Sequence, residues 1–150
     1  MTTEPLVLIE ELPMGVEDLW ALWTESAKVA NWLAGGATID LRLGGTYQLS
    51  GHLADRPLRE PVGGPIVGLE EEYVLKVGWR LPSELGPAVS GATPATTFGV
   101  WFQPLGPNRT RLRLEHDGWR EGEDWAAARR WQTEAWTAVL ERLTKGNLPT

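Results

Sequence analysis

The chain has 150 residues, 42% hydrophobic and 23% charged, the balance of one folded domain and not of a disordered chain. Its formal net charge of −6 argues against a nucleic-acid backbone as partner, which needs a basic face. With no cysteine it has no disulfide, no thiolate metal site and no cysteine nucleophile.

No run of about 18 apolar residues is present, so no membrane span is expected. The opening MTTEPLVLIEELP lacks the basic start and long apolar core of a signal peptide, and the cytoplasm is the expected location. Nine Trp stand against two Phe and two Tyr. Tryptophan brings a large apolar area and one N–H donor, so the set fits either a Trp-packed core or the lining of a pocket.

Leu6 to Leu12 reads as a short strand ending at Pro13, and Val16 to Trp23 as a short helix with Val16, Leu19, Trp20 and Trp23 on one face. Thr24 or Ser26 caps a second short helix to about Trp32, which Gly35-Gly36 ends. Strands are expected at about Ala37–Leu43 and Thr46–Leu53, joined by a tight turn at Gly44-Gly45. Ala54 to Gly64 reads as a loop. Pro65–Glu71 and Tyr73–Arg80 read as strands, and Leu81 to Ala95, rich in Pro, Gly, Ser and Ala, as the longest loop. Thr96–Gln103 is a strand that the turn Leu105-Gly106-Pro107-Asn108 returns into Arg109–Asp117.

The last third is the most telling. Leu112, Leu114 and His116 alternate with Arg111, Arg113, Glu115 and Asp117, the period of a strand with one buried face. From about Asp124 to Lys145 the period turns helical, with Trp125, Arg129, Gln132, Trp136, Val139, Leu140 and Leu143 on one side and Gly146 as the closing residue. Arg129 and Gln132 interrupt that stripe, which points to a groove or cavity between helix and sheet. The expected fold is therefore α+β: a curved antiparallel sheet of about seven strands, the first pairing back to the last, two short helices and one long C-terminal helix across the concave face, in a single domain covering residues 1–150.

The chemistry-bearing patterns are sparse. His52 and His116 lie far apart and form no metal-ligand spacing, so no metal or cofactor is expected. His116 shares the inward parity of Leu112 and Leu114 and reads foremost as a hydrogen-bonded core residue; His52 has the outward parity. The glycine pairs match no phosphate-binding loop and read as turns, and no Ser-His-Asp arrangement with an elbow motif is present. A pocket between sheet and helix, with Trp plugging as its rival, is expected to be lined by some of Tyr47, Leu49, Val77, Trp79, Phe98, Val100, Phe102, Leu114, His116, Trp125, Arg129 and Gln132. Arg129 reads equally well as a stem packed at the helix edge with its head in solvent.

VEDLWALWTESAKVANWL resembles the N-terminal helix pair of the heat-shock-protein ATPase activator homologue family, and IDLRLGGTYQLSG its glycine-turn hairpin. IVGLEEEYVLKVGWR is similar to its next hairpin, and TRLRLEHDGW with AWTAVLERL to its closing strand and helix. The likeness spans about Leu6 to Leu143. It implies the helix-grip fold of the START-like (SRPBCC) superfamily, with a hydrophobic cavity between sheet and C-terminal helix. It leaves the activity open. At 150 residues the additional chaperone-binding domain of the eukaryotic activator is not expected, which weakens the expectation of a co-chaperone role.

Three functions compete. The first is a binding module for a small hydrophobic or aromatic molecule of unknown identity. The second is a polyketide cyclase- or dehydratase-type enzyme with His116 or Tyr47 as acid/base; no inward carboxylate accompanies His116, which favours a non-enzyme with no catalytic residues. The third is a domain that contacts a chaperone, with a second copy of the chain as a further partner. The first needs an apolar cavity, the second a titratable group shifted within it, and the third an exposed surface and no cavity of useful size.

Overall fold

The computed structural model describes residues 3–145; Gly146, expected to close the last helix, lies outside the described residues. The elements are β1 (Leu6–Leu12), α1 (Val16–Thr24), α2 (Ser26–Trp32), β2 (Ala34–Ile39), β3 (Thr46–Leu53), β4 (Arg56–Pro57), β5 (Val62–Glu70), β6 (Val74–Trp79), a 3₁₀ turn (Ser83–Leu85), α3 (Pro87–Ser90), β7 (Thr96–Gly106), β8 (Arg109–Asp117) and α4 (Glu123–Thr144). The strands form one antiparallel sheet in the order β1-β8-β7-β6-β5-β3-β2, with the two-residue β4 pairing β3. The first strand does pair back to the last, with Leu8 opposite Leu114 and Leu6 opposite His116. The expected α+β helix-grip fold is the one seen.

The alternation of β7 and β8 sorts their side chains as the period predicts. Phe98, Val100, Phe102, Leu112, Leu114 and His116 are buried, while Gln103, Arg113 and Asp117 on the other face are exposed. The inner face meets α4, whose buried stripe is Trp125, Ala128, Gln132, Ala135, Trp136, Val139, Leu140 and Leu143. Ala128 and Ala135 let the helix approach closely enough for the large side chains beside them to enter the sheet's concavity. Trp136 is fully buried and Trp131, around the helix, is half-buried, so the helical phase read from the stripe holds.

Two glycine pairs read as turns lie in strands instead. Gly35-Gly36 belongs to β2, which ends at Ile39 rather than near Leu43. Gly63-Gly64 belongs to β5, which starts three residues before Pro65. There a Cβ on Gly63 would stand 2.1 Å from the Tyr47 carbonyl oxygen and one on Gly64 2.0 Å from that of Gly78. Neighbouring strands come too close for any side chain, so glycine here serves backbone approach and not chain reversal. His52 is half-buried, its Nδ1 bonded to the Ala54 carbonyl at 2.8 Å and its ring over Gly35.

Both long loops are tied down. From the first, Arg56 reaches α4, pairing with Glu134 at 2.9 Å and lying 5.9 Å over the Trp131 ring. The second folds into the 3₁₀ turn and α3, both of which contact α4, and buries Val89.

Candidate functional site

The groove between sheet and α4 is occupied by aromatic rings. Trp136 stacks on Phe98 with centroids 4.4 Å apart and planes 14° apart, and Trp79 lies 5.2 Å from Trp136 and 5.5 Å from Phe98. Trp23 of α1 follows at 5.9 Å from Phe98 and meets Trp32 of α2 edge-on at 5.2 Å. These are ordinary spacings of packed aromatic pairs. Eleven of the twelve residues expected to line a pocket are buried here: Tyr47, Leu49, Val77, Trp79, Phe98, Val100, Phe102, Leu114, His116, Trp125 and Gln132. The structure brings them together as neighbours in one core.

Arg129 stands apart. It is in phase with the stripe, but at its level α4 meets the start of β1 and the segment after β8. Its guanidinium donates to the Glu4 carbonyl and lies 5.7 Å from the Trp119 ring, leaving the residue half-buried at the edge. The stem packs and the head reaches outward.

His116 is the hub of a buried polar chain. The Trp136 indole N–H donates to its Nδ1 at 2.9 Å, so Nδ1 is unprotonated and the proton sits on Nε2. Nε2 donates to Thr96 Oγ1 at 2.8 Å, and that hydroxyl donates to the Trp79 carbonyl at 2.8 Å. Burial, with the Arg129 charge adding to it, pushes the His116 pKa down to about 3. The imidazole is thus neutral, with both nitrogens engaged. The Tyr47 hydroxyl donates to the Trp23 carbonyl at 2.7 Å, and its burial pushes its pKa well above the usual phenol range. Trp79 donates to Gln132 Oε1 at 3.2 Å, which orients the amide. Gln132 Nε2 and Trp23 Nε1 are buried without a hydrogen-bond partner among the described residues.

Among the described residues no group of three or more His, Asp or Glu is placed to hold a metal ion, and no helix is long and apolar enough to cross a membrane.

Four concavities among the described residues lie outside the groove. The largest, about 800 Å³, opens on the outer face of the sheet between Ile9, Tyr73, Trp101, Arg111, Arg113 and Glu115. Two more open on the same face and a small one on the solvent side of α4, beside Arg129 and Arg130. In the largest, the register sets Ile9, Arg113, Trp101 and Val74 in one row across β1, β8, β7 and β6. Sequence reasoning centred on the inner face and passed over this one. The available signal was parity, because Trp101 alternates out of phase with Phe98, Val100 and Phe102.

An antiparallel sheet gripping a C-terminal helix defines a helix-grip domain of the START-like class. Residues 14–146 match the family described as Activator of Hsp90 ATPase homolog 1-like protein, and the chain belongs to that family. Solved structures share the fold. One from Mesorhizobium loti is 21% identical, with a TM-score of 0.75 and 95% of each chain covered. An HSP90 activator from Plasmodium falciparum is 18% identical, with a TM-score of 0.65 and 97% of each chain covered. The Aha1 dimer from Colwellia psychrerythraea is 12% identical, with a TM-score of 0.67, 94% of this chain and 96% of that one covered. No curated protein matches the chain.

Proposed function

We propose that this domain works through its surface, as a protein-binding module of the chaperone-activator type. The observation that carries the reading is the filled interior: Trp79, Phe98, Trp136 and His116 occupy the space a carried molecule would need, at ring spacings of 4.4 to 6.5 Å. The family description and the Plasmodium relative, an HSP90 activator, support a chaperone as the partner. The test is to titrate the chain into an Hsp90-type chaperone, following binding by calorimetry and ATP hydrolysis by phosphate release. Saturable binding with a changed hydrolysis rate is the expected result; no binding at concentrations of about 100 μM would overturn it.

A second reading keeps the interior as a site for a small hydrophobic or aromatic molecule, lined by the eleven buried residues named above with Arg129 at the edge. Gln132 Nε2 and Trp23 Nε1 favour it, since two buried donors without partners are what an acceptor oxygen would satisfy. Entry requires the Trp136 and Phe98 rings to separate. Native mass spectrometry of the purified protein decides: a co-purifying molecule, released on replacing Gln132, supports this reading, and bare protein counts against it. The acid–base reading has no such support, because both His116 nitrogens are already engaged.

A further inference from the structure

From the outer face of the sheet we infer that the groove around Arg113 is the docking site for an acidic, apolar segment of a partner protein. The inference rests on the protein-binding reading and adds the surface and the partner's chemistry. Arg113 stands directly between Ile9 on β1 and Trp101 on β7. Its Nε lies 3.3 Å from Glu115, which steers the side chain, while its two terminal nitrogens have no hydrogen-bond partner among the described residues. The side chain is half exposed. A guanidinium with its fork free takes a carboxylate through two parallel hydrogen bonds.

Its flanks are apolar and exposed. Ile9 and Tyr73, each 53% exposed, line the same concavity as Trp101, so the exposed apolar surface here is gathered and not scattered. The outer carbons of the Trp101 ring sit over Gly99: a Cβ there would come within 2.8 Å of them, so only glycine leaves room for the ring. Lys76, paired with Gly99 across β6 and β7, holds its ammonium 5.9 Å from the centre of the same ring. Trp, Tyr and Arg gathered in one concavity are the residues that dominate binding energy at protein interfaces.

Charge decides the partner's character. The chain carries −6 overall, yet around this groove Arg109, Arg111, Arg113 and Lys76 stand against Glu11 and Glu115. Arg111 is held by Glu11 at 2.9 Å and by Gln103, which leaves Arg113 as the cation aimed at an incoming group. Rows on adjacent strands are about 4.8 Å apart, so Ile9, Arg113 and Trp101 fall at roughly 0, 5 and 10 Å. Residues at i, i+3 or i+4, and i+7 on one face of a helix repeat at about that spacing. A helical segment with the order apolar, acidic, apolar therefore fits the row.

The experiment uses two fluorescein-labelled synthetic helical peptides, one with Glu between Leu and Phe at that spacing and one with Lys replacing Glu. Anisotropy titrations are run on the full chain and on Trp101→Ser, Arg113→Glu and, on the solvent side of α4, Arg130→Glu. The full chain is expected to prefer the Glu peptide by about tenfold or more. Trp101→Ser and Arg113→Glu each weaken it by a similar factor, Arg113→Glu reverses the preference, and Arg130→Glu binds as the parent does. Arg113→Gln, which alters only an exposed head group, stands in if Trp101→Ser melts early by circular dichroism. No preference in the full chain, or unchanged binding by the Trp101 and Arg113 variants, overturns the inference. So does a concentration-dependent dimer that Arg113→Glu dissociates and the peptide leaves intact, which would make this face a self-contact. Chaperone binding retained by Arg113→Glu rejects the groove and keeps the protein-binding reading; peptide binding without chaperone binding rejects the chaperone as the partner.

Discussion

Trp136→Phe is the sharpest probe of the filled groove. The indole N–H donates to His116 Nδ1 at 2.9 Å, and neither residue is exposed to solvent. Phenylalanine preserves the ring stacked on Phe98 but removes the donor, leaving a buried imidazole nitrogen without a partner at a cost of about 1–3 kcal/mol. The smaller phenyl ring leaves the space of the outer part of the indole empty, a small void worth roughly another 1–2 kcal/mol. The variant should lose about 2–5 kcal/mol, within what a domain of this kind can lose while still folding. Urea unfolding followed by far-ultraviolet circular dichroism at pH 7 measures it. His116→Leu removes the acceptor, so the double variant should cost about 1–2 kcal/mol less than the two single changes summed. Additivity within about 0.5 kcal/mol would refute the claim that this hydrogen bond holds the core together.

The same histidine predicts a pH dependence. Its pKa is about 3 when folded against 6.5 as the ordinary value, so below pH 6.5 the unfolded chain takes up a proton that the folded one refuses. Its contribution to stability is therefore complete above about pH 6.5 and is lost as pH falls toward 3, at up to about 1.4 kcal/mol per pH unit. His116→Leu should flatten the stability profile between roughly pH 6 and 4.5 relative to the parent; parallel profiles would contradict it. Trp136→Ala should cost about 3–5 kcal/mol and half-buried Trp131→Ala clearly less, with equal losses counting against the helical phase. Gly63→Ala, at φ +114° and 2.1 Å from the Tyr47 carbonyl oxygen, should lower stability by about 2 kcal/mol or more in a thermal melt, and a neutral result would mean that β5 does not approach β3 so closely.

Local period carried much of the fold. The alternation from Arg111 to Asp117 is a backbone property of two residues, and the stripe from Trp125 to Leu143 one of less than four, so neither needs knowledge of distant residues. The elements they define and the sides they bury were legible before any coordinates, as was the closing of β1 onto β8. Glycine was the harder case, because Gly35-Gly36 and Gly63-Gly64 look like turns by composition. Whether a glycine reverses the chain or admits a neighbouring strand depends on what lies across from it, which for Gly63 is Tyr47 and for Gly64 is Gly78. The site depended on tertiary structure more strongly still. Parity placed Trp79, Phe98, His116 and Gln132 on one inner face, but parity carries no volume. How much room their rings leave is set by how near Ala128 and Ala135 bring α4 to the sheet, and by Trp23 and Trp32 arriving from helices far away in sequence from all of them. Likewise Ile9, Arg113 and Trp101 form one row only because β1 crosses the domain to pair with β8, a juxtaposition no local pattern contains.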